Sequence, residues 1–204
     1  MANMVERSLA EWLEHLGVEA TAEQVTRLDQ YRSQLWSWNE RLNLTRHTTL
    51  EKFVTRDVYD SWQLCQRIER GERVLDVGTG GGVPGMVMAI LRPDLSIELC
   101  ESTQKKAAAA TQIAAAASVP VVVHACRAEE LLEVATYGTL VARAVAPLAK
   151  ILKWLEPHWD AFDQLLLVKG RRWTDERQAA RQAGLLADLE LRNVASYATP
   201  GTGA

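Results

Sequence analysis

The stretch VLDVGTGGGVPG, residues 74–85, decides how the rest of the chain is interpreted. The apolar residues around Asp76 are typical of a buried strand, and the glycines that follow permit a tight turn. Pro84 suits the first turn of a helix, because the backbone N–H that proline lacks has no partner there. The stretch therefore predicts a strand, a glycine turn and a helix in direct succession.

Downstream of residue 71, apolar segments typical of strands alternate with segments of helical periodicity. The predicted strands are RVLDV (73–77), LSIELC (95–100), VPVVVHAC (119–126), GTLVARAV (138–145), DQLLLVKG (163–170) and DLELRNVASY (188–197). This alternation favours an α/β, Rossmann-like fold, with a mostly parallel sheet covered by helices on both faces. We assign residues 71–204 to this domain.

Residues 1–70 are expected to form a helical extension packed on that domain. Thr21 with Gln24, and Thr48 with Glu51, match the pattern in which a threonine and a residue three positions later cap a helix. Between the last two predicted helices lies NERLNLTRH, residues 39–47, which is polar and basic and is expected to be an exposed loop.

Composition limits the possible functions. The chain has 204 residues, of which 48% are hydrophobic and 24% charged, as expected for one sizeable globular domain. It contains no long apolar run or secretory signal, so we expect a cytoplasmic protein without a membrane span. Three distant cysteines fit neither a disulfide framework nor a metal site. The net charge of −3 argues against coating nucleic acid by bulk charge, but it allows a local basic face.

Function is expected where the parallel strands end, because open α/β sheets bind ligands beyond the carboxyl ends of their strands. Polar residues or glycines stand at each of these positions, namely at residues 76–82, 101, 127–129, 143–146 and 169–170. The glycine turn is therefore one part of a larger predicted site.

Two cofactors fit the glycines. Gly80-x-Gly82-x-x-Gly85 matches a dinucleotide fingerprint, whereas Asp76-x-Gly78-x-Gly80-x-Gly82 matches the first motif of enzymes that use S-adenosylmethionine (SAM). Asp76 would repel a pyrophosphate, but it would attract the ammonium group of SAM. Glu101 could accept hydrogen bonds from the ribose hydroxyls of either cofactor. Asp76 therefore favours SAM, and an NAD-dependent oxidoreductase is the less favoured alternative.

The methyl acceptor is constrained by what the sequence lacks. The fourth predicted strand ends in ARAVAP, not in the (D/N)PP(Y/F) run of enzymes that methylate adenine amines, and no Pro-Cys pair supplies a nucleophile for pyrimidine carbon 5. An acceptor that is already nucleophilic, such as guanine N7, needs only positioning and no catalytic residue. Arg143 or Lys169 could orient the guanine by donating hydrogen bonds.

Six runs carry a resemblance to a known family: WNERLNLTRH (38–47), VLDVGTGGGVPGMVMAILRPD (74–94), ELCESTQKK (98–106), CRAEEL (126–131), VARAVAPL (141–148) and LLLVKG (165–170). In order and spacing they resemble the bacterial glucose-inhibited division protein B family, the small-subunit ribosomal RNA (guanine-N7) methyltransferases. The resemblance implies SAM contacts at Gly78, Val83, Glu101, Ala128, Glu129 and Arg143. It also implies that Asn43, Lys105 and Lys169 lie near the RNA, and we add Arg41, Arg56 and Arg171 from the basic segments.

The family implies methylation of guanine N7 in the 530 loop of 16S rRNA, with 16S rRNA or the small ribosomal subunit as the partner. We expect a monomer. Two features depart from the family's pattern. This chain has Arg56-Asp57 where the family commonly has Arg-His, and it ends at SYATPGTGA, where the family continues into a further strand. A missing edge strand would expose an unpaired ladder. A non-catalytic RNA-binding or assembly protein with a SAM fold is therefore the second alternative.

Overall fold

A computed structural model describes residues 7–197, and its centre is a five-stranded sheet with the order β3–β2–β1–β4–β5. All neighbouring strands are parallel. The strands are β1 (Arg73–Val77), β2 (Ser96–Cys100), β3 (Val122–His124), β4 (Tyr137–Arg143) and β5 (Phe162–Val168). The order reverses between β1 and β4, as in doubly wound Rossmann-like sheets, so the predicted fold class is confirmed.

Helices precede the sheet and connect its strands. They are α1 (Leu9–His15), α2 (Ala22–Leu42), α3 (Leu50–Lys52), a π-helical segment (Phe53–Val58), α4 (Tyr59–Cys65), α5 (Gly85–Leu91), α6 (Gln104–Ala116), α7 (Ala128–Leu132), α8 (Leu148–Leu155), a 3-10 segment (Glu156–Ala161) and α9 (Trp173–Gln182). Within residues 7–197, none of these helices has the length and apolar character needed to cross a membrane.

Alternate residues of β1 enter two separate apolar clusters. Val74 packs in a cluster with Leu28 of α2, Phe53 and Met86, whereas Leu75 packs in a second cluster with residues of α7 and α8 such as Ile151. Burial on both faces explains why the strands are nearly continuous apolar runs. The N-terminal helices thus share a core with β1. The domain boundary at residues 70 and 71 stays a prediction.

One of the two predicted helix caps is correct. The Thr21 hydroxyl accepts the Gln24 N–H (3.2 Å), and the Gln24 side chain returns to the Thr21 N–H (2.8 Å), as predicted. The second cap is wrong by one residue, because Thr49 and not Thr48 caps α3 by accepting the Lys52 N–H (3.3 Å). Two adjacent threonines carry the same cap signal, and only Thr49 directly precedes the first helical residue.

The predicted loop at residues 39–47 is shorter than expected. Helix α2 continues to Leu42, and Asn43 ends it in the left-handed conformation with φ 46°. Asparagine tolerates this conformation at a helix end. The Asn39 side chain then accepts the Thr45 N–H (2.8 Å), which folds the loop back on the helix. Leu44 and His47 are partly buried, so the loop is not simply exposed.

The predicted sixth strand, residues 188–197, is not a strand. Leu189 packs against the cluster that contains Leu148, but the apolar residues in the middle of the segment, Leu191 and Val194, are exposed. Arg192 donates to Glu190 and Asn193 donates to Ser196 within the segment, whereas the Tyr197 hydroxyl donates to Asp60 outside it. A strand needs a neighbouring backbone for its hydrogen bonds, and alternation alone does not supply one.

We expect Tyr31→Phe to destabilise the protein by about 1–3 kcal/mol, because it leaves a buried carbonyl group without a donor. The Tyr31 hydroxyl donates to the carbonyl oxygen of Gly81 (3.0 Å), and the Tyr31 side chain is fully buried. Urea denaturation of wild type and variant measures the difference in the free energy of unfolding.

Tyr59→Phe is the matched control for this prediction. Tyr59 contacts Trp62 and Tyr197 through its ring, and these contacts survive the substitution. Its effect should stay within about 0.5 kcal/mol. Equal effects of the two substitutions would contradict a stabilising role for the Tyr31 hydrogen bond.

Candidate active site

The glycine turn follows β1 directly, and three of its residues need glycine for conformational reasons. Gly78, Gly80 and Gly82 have φ angles of 67°, 57° and 103°, which side chains rarely adopt. A side chain on Gly78 would also contact Val145, which follows β4, at 3.0 Å. A side chain on Gly80 would meet no atom within 4 Å. The turn therefore packs tightly against the residues after β4 at Gly78, whereas there is free space beside Gly80.

Asp76 holds this turn together from inside. Its Oδ2 accepts the Thr79 hydroxyl (2.5 Å) and the Gly85 N–H (2.8 Å), and its side chain is fully buried. Its Oδ1 has no hydrogen-bond partner among the described residues. Burial raises the pKa of Asp76 to about 6, against the opposing effect of the two hydrogen bonds. A direct contact between Asp76 and a cofactor stays a prediction.

Glu101 joins the end of β2 to the turn after β1. Its Oε2 accepts the Gly80 N–H (3.1 Å) and its Oε1 accepts the Thr103 N–H (2.7 Å). Because β1 and β2 pair in parallel up to Val77 and Cys100, their ends meet at the same edge. The carboxylate thus lies beside the open glycine, as the strand-end argument predicted.

The end of β3 lies close to the same edge. Ala128 begins α7 and packs in one cluster with Val77 and Cys100, the last residues of β1 and β2. The Glu129 carboxylate accepts a hydrogen bond from the Arg127 side chain (3.2 Å). The cap of α7 is made instead by Glu130, which accepts the Arg127 N–H (2.9 Å), so Glu129 is not needed for capping. Val83, the remaining predicted contact in the turn, is 9% exposed.

Arg143, the last residue of β4, is held by acidic residues of the N-terminal helices. Its guanidinium donates to Asp57 Oδ1 (2.5 Å) and Asp60 Oδ2 (3.3 Å), and also to the Arg56 carbonyl oxygen (3.4 Å). Burial opposes its charge, but the two carboxylates raise the pKa of Arg143 above its usual value. Arg143 is thus an internal ion-pair partner here, and its predicted contacts with cofactor and substrate stay predictions.

Lys169, which follows the end of β5, also forms an internal ion pair. Its Nζ donates to the Ala146 carbonyl oxygen (2.9 Å) and to Glu176 Oε2 (2.8 Å). The same Glu176 oxygen accepts the Leu148 N–H (2.8 Å), so this pair ties the loop after β4 to α9. These bonds use two of the three N–H donors of Lys169, and its predicted contact with the substrate stays a prediction.

The remaining candidates for RNA contact lie at different places. Arg41, Lys105 and Arg171 are exposed, and Arg41 lies over the Trp38 ring at 5.7 Å. Asn43 is exposed but has a structural role as the left-handed end of α2. Arg56 is partly buried. Among these predicted RNA contacts, Arg41, Lys105 and Arg171 are therefore the exposed cations.

Sequence reasoning missed a polar network beside β4. The Asp57 Oδ1 that binds Arg143 also lies 2.7 Å from His47 Nδ1. Asp60 accepts the Tyr197 hydroxyl (2.8 Å), and burial raises the pKa of Asp60 although this hydrogen bond and Arg143 act to lower it. The available signal was the occurrence of two aspartates in FVTRDVYDSW, residues 53–62, among residues that pack inside. Throughout residues 7–197, no group of His, Cys, Asp or Glu could hold a metal ion.

Comparison with known proteins identifies the family. A profile of the GidB family, described as rRNA small subunit methyltransferase G, matches residues 24–201. The chain belongs to this family. The resemblance seen in the sequence is therefore confirmed.

Named relatives agree with this assignment. The ribosomal RNA small subunit methyltransferase G of Rhodopirellula baltica is 48% identical over 95% of this chain and 84% of its own length. That of Sorangium cellulosum is 35% identical over 94% of this chain and 82% of its own. Among solved structures, the ribosomal protein L11 methylase of Lactobacillus delbrueckii subsp. bulgaricus has a TM-score of 0.49 and 19% identity, over 68% of this chain and 73% of that one. The fold assignment itself follows from the strand order.

Membership of this family fixes the reaction class. The chain is a SAM-dependent rRNA methyltransferase, and its family methylates guanine N7 in the small-subunit rRNA. The sequence-based preference for SAM over a dinucleotide is thereby confirmed. The oxidoreductase alternative is set aside.

We expect Asp76→Asn to change how stability depends on pH. An acid whose pKa is raised in the folded state loses stabilising free energy as pH rises from its unfolded to its folded pKa. For Asp76 these values are 3.8 and about 6. Between pH 4 and pH 7 the wild type should therefore lose up to about 3 kcal/mol relative to Asp76→Asn. Urea denaturation across this range measures the difference.

Asp163→Asn, which alters an exposed carboxylate, is the matched control. It should follow the wild-type pH curve. A constant difference between wild type and Asp76→Asn at all pH values would show that the buried carboxyl group does not titrate as described.

Proposed function

We propose that this enzyme methylates N7 of a guanine in the 530 loop of 16S rRNA, with SAM bound across the carboxyl ends of β1, β2 and β3. The observation that carries the proposal is the open glycine at position 80, whose N–H is bonded to Glu101. The loop itself is proposed from the resemblance of the sequence motifs to the family.

The residues at the strand ends fit the cofactor. Each carboxylate oxygen of Glu101 accepts one backbone N–H, and each has a further lone pair for a ribose hydroxyl. The space beside Gly80 leaves the backbone accessible to a ligand. The other proposed contacts with SAM are Asp76, Gly78, Gly82, Val83, Ala128, Glu129 and Arg143.

The mechanism that this site supports is positioning. SAM, when bound, supplies a methyl group on a positively charged sulfur, and transfer to N7 moves that charge onto the purine. Guanine N7 already carries a lone pair, so no side chain has to remove a proton from it. The chain's own task is to hold the acceptor in line with the methyl group and to exclude water. Rigid elements such as the Asp76-bonded turn serve this purpose.

We propose two groups of RNA contacts, one with the phosphates of the RNA backbone and one near the target guanine. Arg41, Lys105 and Arg171 are exposed, so they can meet phosphates, and such contacts should weaken with salt. Asn43 ends α2 and Arg56 lies in the π-helical segment, and both are proposed to lie near the target. Arg143 and Lys169 would support the loop after β4 through their ion pairs. The enzyme is proposed to act as a monomer in the cytoplasm.

Methyl transfer to small-subunit particles from cells that lack this modification tests the proposal. We expect labelled methyl from SAM to appear at one guanine N7 in the 530 loop. Label at another nucleotide would overturn the target. Absence of label, with SAM binding intact in the same sample, would favour a non-catalytic RNA-binding or assembly protein.

We expect Glu101→Gln to weaken SAM binding about 10-fold or more, because the ribose hydroxyls lose a charged acceptor. Titration calorimetry measures the Kd. Glu133→Gln, an exposed substitution after α7, is the matched control and should leave Kd unchanged. Equal Kd values for wild type and Glu101→Gln would remove Glu101 from the cofactor site.

A further inference from the structure

His47 and Asp57 form a pair that the proposed mechanism does not use. The His47 Nδ1 lies 2.7 Å from Asp57 Oδ1, with side chains 28% and 0% exposed. The backbone of His47 is also fixed, since its carbonyl accepts the Trp36 indole N–H (2.9 Å) and its N–H donates to the Thr45 hydroxyl (3.0 Å). The imidazole is therefore held in one orientation while part of it remains accessible.

The pair lies between the two elements that surround the reacting groups. Leu44, three residues before His47, packs against the glycine turn, where a side chain on Gly81 would come within 3.2 Å of it. On the other side, Asp57 binds Arg143 at the end of β4. His47 is thus connected to both the glycine turn and the end of β4, the two elements beside which the target base is proposed to bind. This step rests on the proposed function.

The contacts of Asp57 determine which nitrogen of His47 can accept a hydrogen bond. An ionised carboxylate only accepts hydrogen bonds, so Nδ1 of His47 carries the hydrogen. The Arg143 guanidinium binds the same carboxylate oxygen, so Asp57 joins His47 to the end of β4. His47 can accept a further hydrogen bond in its neutral form, with the hydrogen on Nδ1. In that form Nε2 carries a lone pair. Nε2 has no hydrogen-bond partner among residues 7–197.

We propose that Nε2 of His47 accepts a hydrogen bond from N1–H of the target guanine and selects guanine against adenine. Both purines have a nucleophilic N7, so the reaction itself does not distinguish them. Guanine presents a hydrogen at N1, whereas adenine presents a lone pair that an imidazole lone pair repels. Asp57 acts through His47 as a positioning residue.

This hydrogen bond strengthens during the reaction. As the bond from N7 to the methyl carbon forms and the bond from carbon to sulfur breaks, positive charge develops on the purine. N1–H then becomes a stronger donor to Nε2, and no proton needs to be transferred. An interaction that is stronger in the transition state than in the bound substrate raises kcat and leaves KM nearly unchanged.

Two substitutions of His47 test the proposal on small-subunit particles with guanine at the target. His47→Ala should lower kcat about 10- to 100-fold, the discrimination expected from a base-specific contact, with KM within about twofold. His47→Gln, whose amide oxygen can accept the same hydrogen, should recover part of this loss. His15→Ala, in an exposed histidine, is the matched control and should behave as wild type.

Adenine at the target position supplies the second comparison. His47→Ala should methylate adenine-containing particles at least as fast as wild type, because the substitution removes the lone pair that repels adenine N1 and no N1–H contact is present to lose. The proposal is overturned if His47→Ala retains the wild-type kcat on guanine, or if it weakens SAM binding in proportion to its loss of activity. It is equally overturned if wild type methylates adenine as fast as guanine.

Failure of this inference is distinguishable from failure of the proposed function. If wild type places no methyl group on the guanine, the proposed function is wrong. If wild type does so and His47→Ala is equally active, only the role of His47 is wrong. Thermal unfolding of each variant identifies any loss of folding, and His47→Gln keeps the test valid if His47→Ala is unstable.

Discussion

The buried carboxylate of Asp76 is the constraint on which the site depends. By accepting hydrogen bonds from Thr79 and Gly85, it fixes the start of the glycine turn and the start of α5 with one side chain. Position 85 must be glycine for this, since a Cβ there would lie 2.9 Å from the Asp76 Cβ. Burying a carboxylate costs free energy, which its raised pKa reflects, and the two hydrogen bonds offset part of that cost.

The N-terminal helices complete the site that the sheet begins. Tyr31 of α2 bonds to the carbonyl of Gly81 in the turn, and Asp57 of the π-helical segment bonds to Arg143 at the end of β4. Gln24 donates to the carbonyls of Ile90 and Leu91 at the end of α5. The helices therefore orient the glycine turn and the end of β4 relative to each other. The sheet alone would leave both the Gly81 carbonyl and the Arg143 guanidinium without these partners.

The sequence predicts features that depend on neighbouring residues, such as strands and strand ends. It does not predict contacts between residues that are far apart in the chain. The five strands could be predicted because strands buried on both faces are apolar runs, and Glu101 could be placed beside the turn because parallel strand ends meet. The sixth strand failed because alternation at residues 188–197 says nothing about a neighbouring strand. The ion pair of Arg143 with Asp57 could not be predicted, because the two residues lie 86 positions apart in sequence. No local pattern connects two such positions.

Arg143 and Lys169, at the ends of β4 and β5, are paired with carboxylates, and this pairing is favourable for a reaction that makes the purine positively charged. Transfer of a methyl group to N7 leaves the purine positively charged, so an unpaired cation beside the base would oppose the reaction. Arg143 faces two carboxylates, and Lys169 faces Glu176, so neither presents an uncompensated charge to the base. In its proposed role, His47 accepts through Nε2 as a neutral imidazole and so adds no charge beside the base. Attraction for the RNA backbone then falls to exposed cations such as Arg41, Lys105 and Arg171, whose charges are screened by solvent from the reacting purine.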